Sequence, residues 1–123
     1  MAKYDHLPIF QCAYALTLEI YKSTHQFPRE YKYTLGQKLK EISSDFLDLV
    51  ILANSQLDKT AILNEARVIL ERLKIHIRLA CDLKILNLKR YESFARFLED
   101  LSKQLSGWQT WSLKTESKNN RKL

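Results

Sequence analysis

The residues that break up a chain are scarce here. Two glycines and two prolines (Pro8, Pro28, Gly36 and Gly107) stand among 123 residues, where ordinary usage would place about 15. No proline follows Pro28. Hairpin-rich β folds need many more turn residues than this. A glycine-rich phosphate loop cannot be assembled either, which excludes P-loop and Rossmann chemistry. Cysteine is also scarce: Cys12 and Cys81 are too few for a disulfide scaffold and lack metal-pair spacing. Reduced thiols in the cytoplasm are the expectation. Long hydrophobic runs are missing too. The longest uncharged apolar stretch, His6 to Leu18, is too short to span a bilayer. It has no basic leader or small-residue cleavage site and is not read as a signal peptide.

What the chain does have is apolar residues at helical spacing. Apolar content is 46%, enough for one core in a chain of one-domain length. A first segment opens at Pro8, a favoured first-turn residue, and carries Ile9, Ala13, Leu16, Ile20 and Ser23. Phe27-Pro28 interrupts it, because proline drives the preceding residue out of the α region. A second carries Leu35, Leu39, Ile42, Phe46, Leu49 and Ala53, ends near Asn54-Ser55, and leads to Asp58 as a helix-capping residue. The third stripe is Ile62, Ala66, Ile69, Leu73, His76, Ala80 and Leu83. The fourth is Tyr91, Phe94, Leu98, Leu101, Leu105 and Trp108, with Gly107 as its stop signal. Alternating spacings of three and four mean helices packed nearly along one another. Short connections near Phe27, Ser55 and Asn87 make sequential neighbours antiparallel. The expectation is an all-α, up-down-up-down antiparallel four-helix bundle over residues 1–113. Residues 114–123 are expected to form a basic, disordered tail.

The third segment is apolar beyond one seam. Leu63, Leu70 and Ile77 form a second row, and Val68, Ile75 and Leu79 a third direction. Either the helix is deeply buried or a further face packs on another subunit.

The net charge of +6 favours polyanionic partners. Residues 59–86 hold six Lys and Arg against three Asp and Glu, and residues 114–123 four against one. The two segments 1–27 and 28–54 each balance. Arg67, Lys74 and Arg78 share one side of the third helix, with Glu71 among them. Arg72 and Lys84 lie on neighbouring sides, and Lys89 and Arg90 continue past the turn. Arginine forks onto phosphate, so these seven residues are the candidate contacts for nucleic acid or an acidic partner. A solvated helix face with i,i+4 pairing is the alternative.

Catalytic and metal motifs are missing. A di-metal bundle needs Glu-x-x-His pairs, whereas His76 follows Glu71 by five. His76 is expected to hydrogen-bond across the bundle or at a subunit contact. Cys12 and Cys81 are expected to pack as small apolar groups. A Cys–His nucleophile pair has nothing in the sequence to orient it. Neither a catalytic residue nor a cofactor is assigned.

Four strings carry a family resemblance: Phe27-Pro28-Arg29, Leu35-Gly36-Gln37-Lys38-Leu39, Arg78-Leu79-Ala80-Cys81-Asp82-Leu83 and Leu105-Ser106-Gly107-Trp108. In this order, from about Leu7 to Trp108, they resemble the accessory variability determinant (Avd) proteins of diversity-generating retroelements. The four-helix proteins of rRNA intervening sequences are a related group. Their Ser-Ile-Pro-x-Asn-Ile-Ala-Glu-Gly-like stretch has no counterpart in Ser43-Ser44-Asp45-Phe46-Leu47-Asp48. The resemblance implies a noncatalytic homopentamer around a basic channel. It also implies a partnership with an error-prone reverse transcriptase on template RNA, with DNA or an RNA–DNA hybrid as alternative nucleic acids. The other function class is a structural helical adaptor whose basic residues serve solubility alone.

Overall fold

The computed structural model describes residues 4–121, with side chains as far as Thr115. It is all-helical, with no strand among the described residues. Four long helices, α1 (Pro8–His25), α3 (Leu35–Ser55), α4 (Thr60–Asp82) and α5 (Leu88–Arg121), surround one core, and a single turn, α2 (Arg29–Lys32), bridges α1 and α3. The sequence's third and fourth segments are thus α4 and α5. In the bundle, α1 packs on α3 and α5, and α4 on α3 and α5.

Local chemistry sets the helix ends. Pro8 occupies the first turn of α1, where its missing N–H costs nothing. The Asp58 carboxylate accepts from the Thr60 N–H at 3.1 Å, supporting the first turn of α4. Asn87 caps α5, its side-chain oxygen accepting from the Arg90 N–H at 2.7 Å. The Lys59 ammonium donates to the carbonyls of Ala53, at 2.7 Å, and Gln56, so a side chain from the following loop closes α3. Burial pulls the pKa of Lys59 down. At Gly36 the α1–α2 corner approaches closely: a Cβ there would lie 3.4 Å from the Phe27 ring and from the Tyr31 carbonyl oxygen.

The α4 helix ends in an unusual way. Lys84 adopts φ 62°, the left-handed conformation, which glycine takes most cheaply. Its N–H donates to the Cys81 carbonyl at 2.9 Å, and the Ile85 N–H reaches back to the Ala80 carbonyl at 3.0 Å. This is a Schellman closure with lysine where glycine is usual.

Core positions differ from the sequence reading in two helices. In α3, Val50 is buried where the spacing predicts Leu49, and Leu49 is only half-buried. In α4 the core row is Leu63, Ala66, Leu70, Leu73, Ile77 and Ala80. Ile62, Ile69 and His76 sit at its margin, and Leu83 is exposed. The row through Leu63, Leu70 and Ile77 therefore faces the bundle itself, so only the Val68–Ile75–Leu79 direction is left without cover.

The end of α5 also differs. Gly107 does not stop the helix; it has no positive φ, and a Cβ there would meet nothing within 4 Å. Helix continues to Arg121, so residues 114–121 extend α5 where the composition predicts disorder, and residues 122–123 lie outside the described residues. Polar anchoring accounts for the helix just beyond Gly107. Arg67 Nη2 donates to the Ser102 carbonyl at 3.3 Å, Ser106 Oγ at 2.6 Å and Gln109 Oε1 at 3.1 Å. Gln109 Nε2 in turn donates to Asn64 Oδ1 at 3.1 Å. Ser112 is buried one turn further on. A mid-helix glycine costs only about 1 kcal/mol relative to alanine, which these contacts offset.

Candidate partner and nucleic-acid interface

The surface of α4 is built around an apolar centre. Val68, Ile75, Leu79 and Leu83 are 59%, 60%, 45% and 42% exposed. On a 3.6-residue helix they fall within one arc opposite the core row. Leu52 on α3, Leu57 in the α3–α4 loop and Leu88 at the start of α5 are exposed as well. An exposed apolar arc on one helix face is a candidate surface for association.

The seven candidate basic residues divide by environment. Arg67 is half-buried and its guanidinium holds α5, as described above. Lys74 pairs with Glu71 at 3.0 Å. Arg78 lies 3.8 Å from Asp82 in an exposed i,i+4 pair, of a kind worth little in water. Arg90 pairs with Glu19 of α1 at 3.1 Å. The side chains of Arg72, Lys84 and Lys89 are exposed and have no partner among the described residues. Arg72 lies within the apolar arc of α4, so any surface that covers Val68 and Ile75 also meets its charge. Arg67, Lys74 and Arg78 do lie along one side of α4, the side that meets α5, but each is engaged within the chain.

The tertiary contacts gather charge in a way the segment count does not. Residues 19–41 and 78–92 contain nine Lys and Arg against five Asp and Glu. Residues 4–18, 42–77 and 93–113 contain six against eight. The Arg90–Glu19 pair joins the start of α5 to the end of α1, which places these basic segments together. A depression lined by Glu19, Tyr21, Lys22, His25, Gln26, Lys40 and Arg90 lies there. Of these, sequence spacing singles out only Arg90.

No group of His, Cys, Asp or Glu suited to a metal ion occurs among the described residues. The Cys12 thiol donates to the Phe97 carbonyl at 3.8 Å. Burial, reinforced by the charge and hydrogen bonding of Asp100, pushes it up to about 12. It therefore stays protonated at neutral pH, contrary to what a nucleophile requires. His76 Nδ1 lies 2.7 Å from the Arg72 carbonyl one turn back on its own helix, not from a partner across the bundle. No helix of the described residues is long and apolar enough to cross a membrane.

A family model described as bAvd-like matches residues 9–112, nearly the whole of the bundle. None of the curated proteins compared with the chain matches it.

Proposed function

The chain belongs to the bAvd-like family, and from that premise we propose that it is the noncatalytic accessory protein of a diversity-generating retroelement. In this reading it acts in the cytoplasm. It binds the element's reverse transcriptase and template RNA and supports mutagenic cDNA synthesis. The four long helices run up-down-up-down, and the chain works as a homopentamer. The observation that carries the reading, beyond family membership, is the exposed apolar arc on α4 with unpaired Arg72 set in it. Apolar surface supports assembly, and an unpaired guanidinium supports contact with phosphate or an acidic protein surface.

The test is reconstitution of cDNA synthesis from the retroelement's reverse transcriptase and template RNA, with and without the chain. Synthesis is expected to depend on the protein and to fall when Arg72, Arg78 and Lys89 are replaced by alanine. Full synthesis without the chain would refute the proposal.

The internal pairing of Arg67, Lys74 and Arg90 favours a second reading, a structural helical adaptor with no nucleic acid. Protein purified at low salt, then washed at high salt, separates the two. A fall in the 260/280 absorbance ratio on washing supports the first, and a low ratio throughout supports the second.

A further inference from the structure

The depression between α1, α3 and α5 has a volume of about 750 Å³. It is built over the last turns of α1. Lys22 and His25 line it from α1, Lys40 from α3 and Arg90 from α5. Among the described residues, Glu19 is the only carboxylate in its lining. That one group lies 3.1 Å from Arg90 and 3.9 Å from Lys22, so the three cations Lys22, Lys40 and Arg90 share a single anion in the lining. Lys40 has no carboxylate partner among the described residues; its ammonium lies 5.4 Å from the centre of the Tyr21 ring, and the ring's hydroxyl is 3.3 Å from Ser44 Oγ. The Arg90–Glu19 pair bridges α5 and α1.

We propose that this saddle binds the phosphodiester backbone of single-stranded RNA, with Lys22 and Lys40 as the contacts that release counterions. The inference deepens the RNA-binding reading above and rests on it, but it places the contact off α4. Charge complementarity and shape carry it. Cations from three helices line an open trough rather than a closed pocket, which suits a continuous polyanion better than a small anion. The surplus is held there by the fold and does not arise from one flexible segment. Lysine contacts to phosphate act as point charges, so the saddle is expected to bind without sequence preference.

The experiment is fluorescence anisotropy of a labelled single-stranded RNA of about 20 nucleotides, titrated with the full chain over a series of salt concentrations. The Lys22→Ala/Lys40→Ala variant is expected to bind about tenfold more weakly near 0.1 M salt. Its plot of log affinity against log salt should be flatter by about 1.4, at about 0.7 for each single-strand phosphate that the variant no longer neutralises. Lys22→Arg/Lys40→Arg keeps the charge and should keep both values; an equal fall in that variant would make the effect one of fold and overturn the assignment. An unchanged affinity and slope in the alanine variant, with both reduced in Arg72→Ala/Arg78→Ala, would move the contact to α4 and leave the RNA-binding reading standing. Absence of salt-sensitive binding in the wild type would defeat both. If the alanine variant kept its RNA affinity but no longer retained the reverse transcriptase, the saddle would be a dock for an acidic protein surface and the proposal would be wrong.

Discussion

Arg67 of α4 and Gln109 of α5, paired at 3.1 Å, hold the two helices together across 42 residues of sequence. Gln109 lies two residues beyond Gly107, where the sequence signals a helix stop. The same guanidinium also meets Ser102 and Ser106. Replacing Arg67 with alanine leaves Gln109 and the Ser102 carbonyl without their charged donor. Stability should fall by about 2 kcal/mol, with helix melting first from α5 beyond Gly107. Lysine should restore it only in part, because its ammonium stops one bond short of the position of Arg67 Nη2. Denaturant unfolding of the three proteins, together with hydrogen exchange in residues 107–113, is the measurement. An unperturbed Arg67→Ala protein would show that α5 needs no such anchor.

Lys84 closes α4 in a conformation that costs a side-chain-bearing residue about 1 kcal/mol. Lys84→Gly should therefore stabilise the chain by up to that amount, less the extra chain entropy of glycine in the unfolded state. Lys84→Ala, which keeps the strain, should gain nothing. Paired urea melts decide the matter, and a destabilised glycine variant would contradict the backbone assignment.

The proposed assembly is expected to use the uncovered side of α4. Ile75 and Leu79 make no contribution to the core, so Ile75→Glu/Leu79→Glu should leave the bundle's thermal unfolding almost unchanged. Light scattering should find the wild type well above the 14.5 kDa of one chain and the variant near it. A monomeric wild type would remove the reason given for this apolar arc.

The Cys12 thiol ionises near 12 in the folded chain, against 9.0 for an unperturbed cysteine. Its folded pKa is raised, so the stabilising contribution is complete below about pH 9 and is lost as pH rises towards 12. Wild type should lose more stability than Cys12→Ala over that interval. Alkylation of Cys12 at pH 8 should be slower than in urea by more than about tenfold. Equal alkylation rates in the two conditions would mean that the thiol is not shielded as described.

Ser23 is buried in α1, and its hydroxyl has no hydrogen-bond partner among the described residues. Ser23→Ala removes an unsatisfied group and improves helix propensity, so a gain of about 1 kcal/mol is expected. A loss in calorimetry would reveal a partner for the hydroxyl.

The helices and most of their boundaries are legible in the sequence because Pro8, Phe27-Pro28, Asp58 and Asn87 mark ends by simple chemistry. The phase of α4 is less legible. Ile62-Leu63, Ile69-Leu70 and His76-Ile77 each offer two adjacent choices, and a helix apolar on most sides gives periodicity little to select between them. Leu49-Val50 poses the same choice in α3. The reach of α5 is hidden because Gln109 and Ser112, which dock it, are polar, and an apolar stripe does not register them. Among the candidate basic residues, sequence spacing places Arg67, Lys74 and Arg78 on one side but cannot show that each is paired. The saddle is invisible to a count by segment. Lys22, Lys40 and Arg90 come from three helices, and two of those helices lie in stretches whose net charge is zero.

The nine Lys and Arg against five Asp and Glu in residues 19–41 and 78–92 give the α1–α5 junction a positive field. A polyanion drifting within a Debye length would meet that field before it touched the surface. Dilute buffer should therefore quicken capture, and concentrated salt should slow arrival as well as shorten the stay.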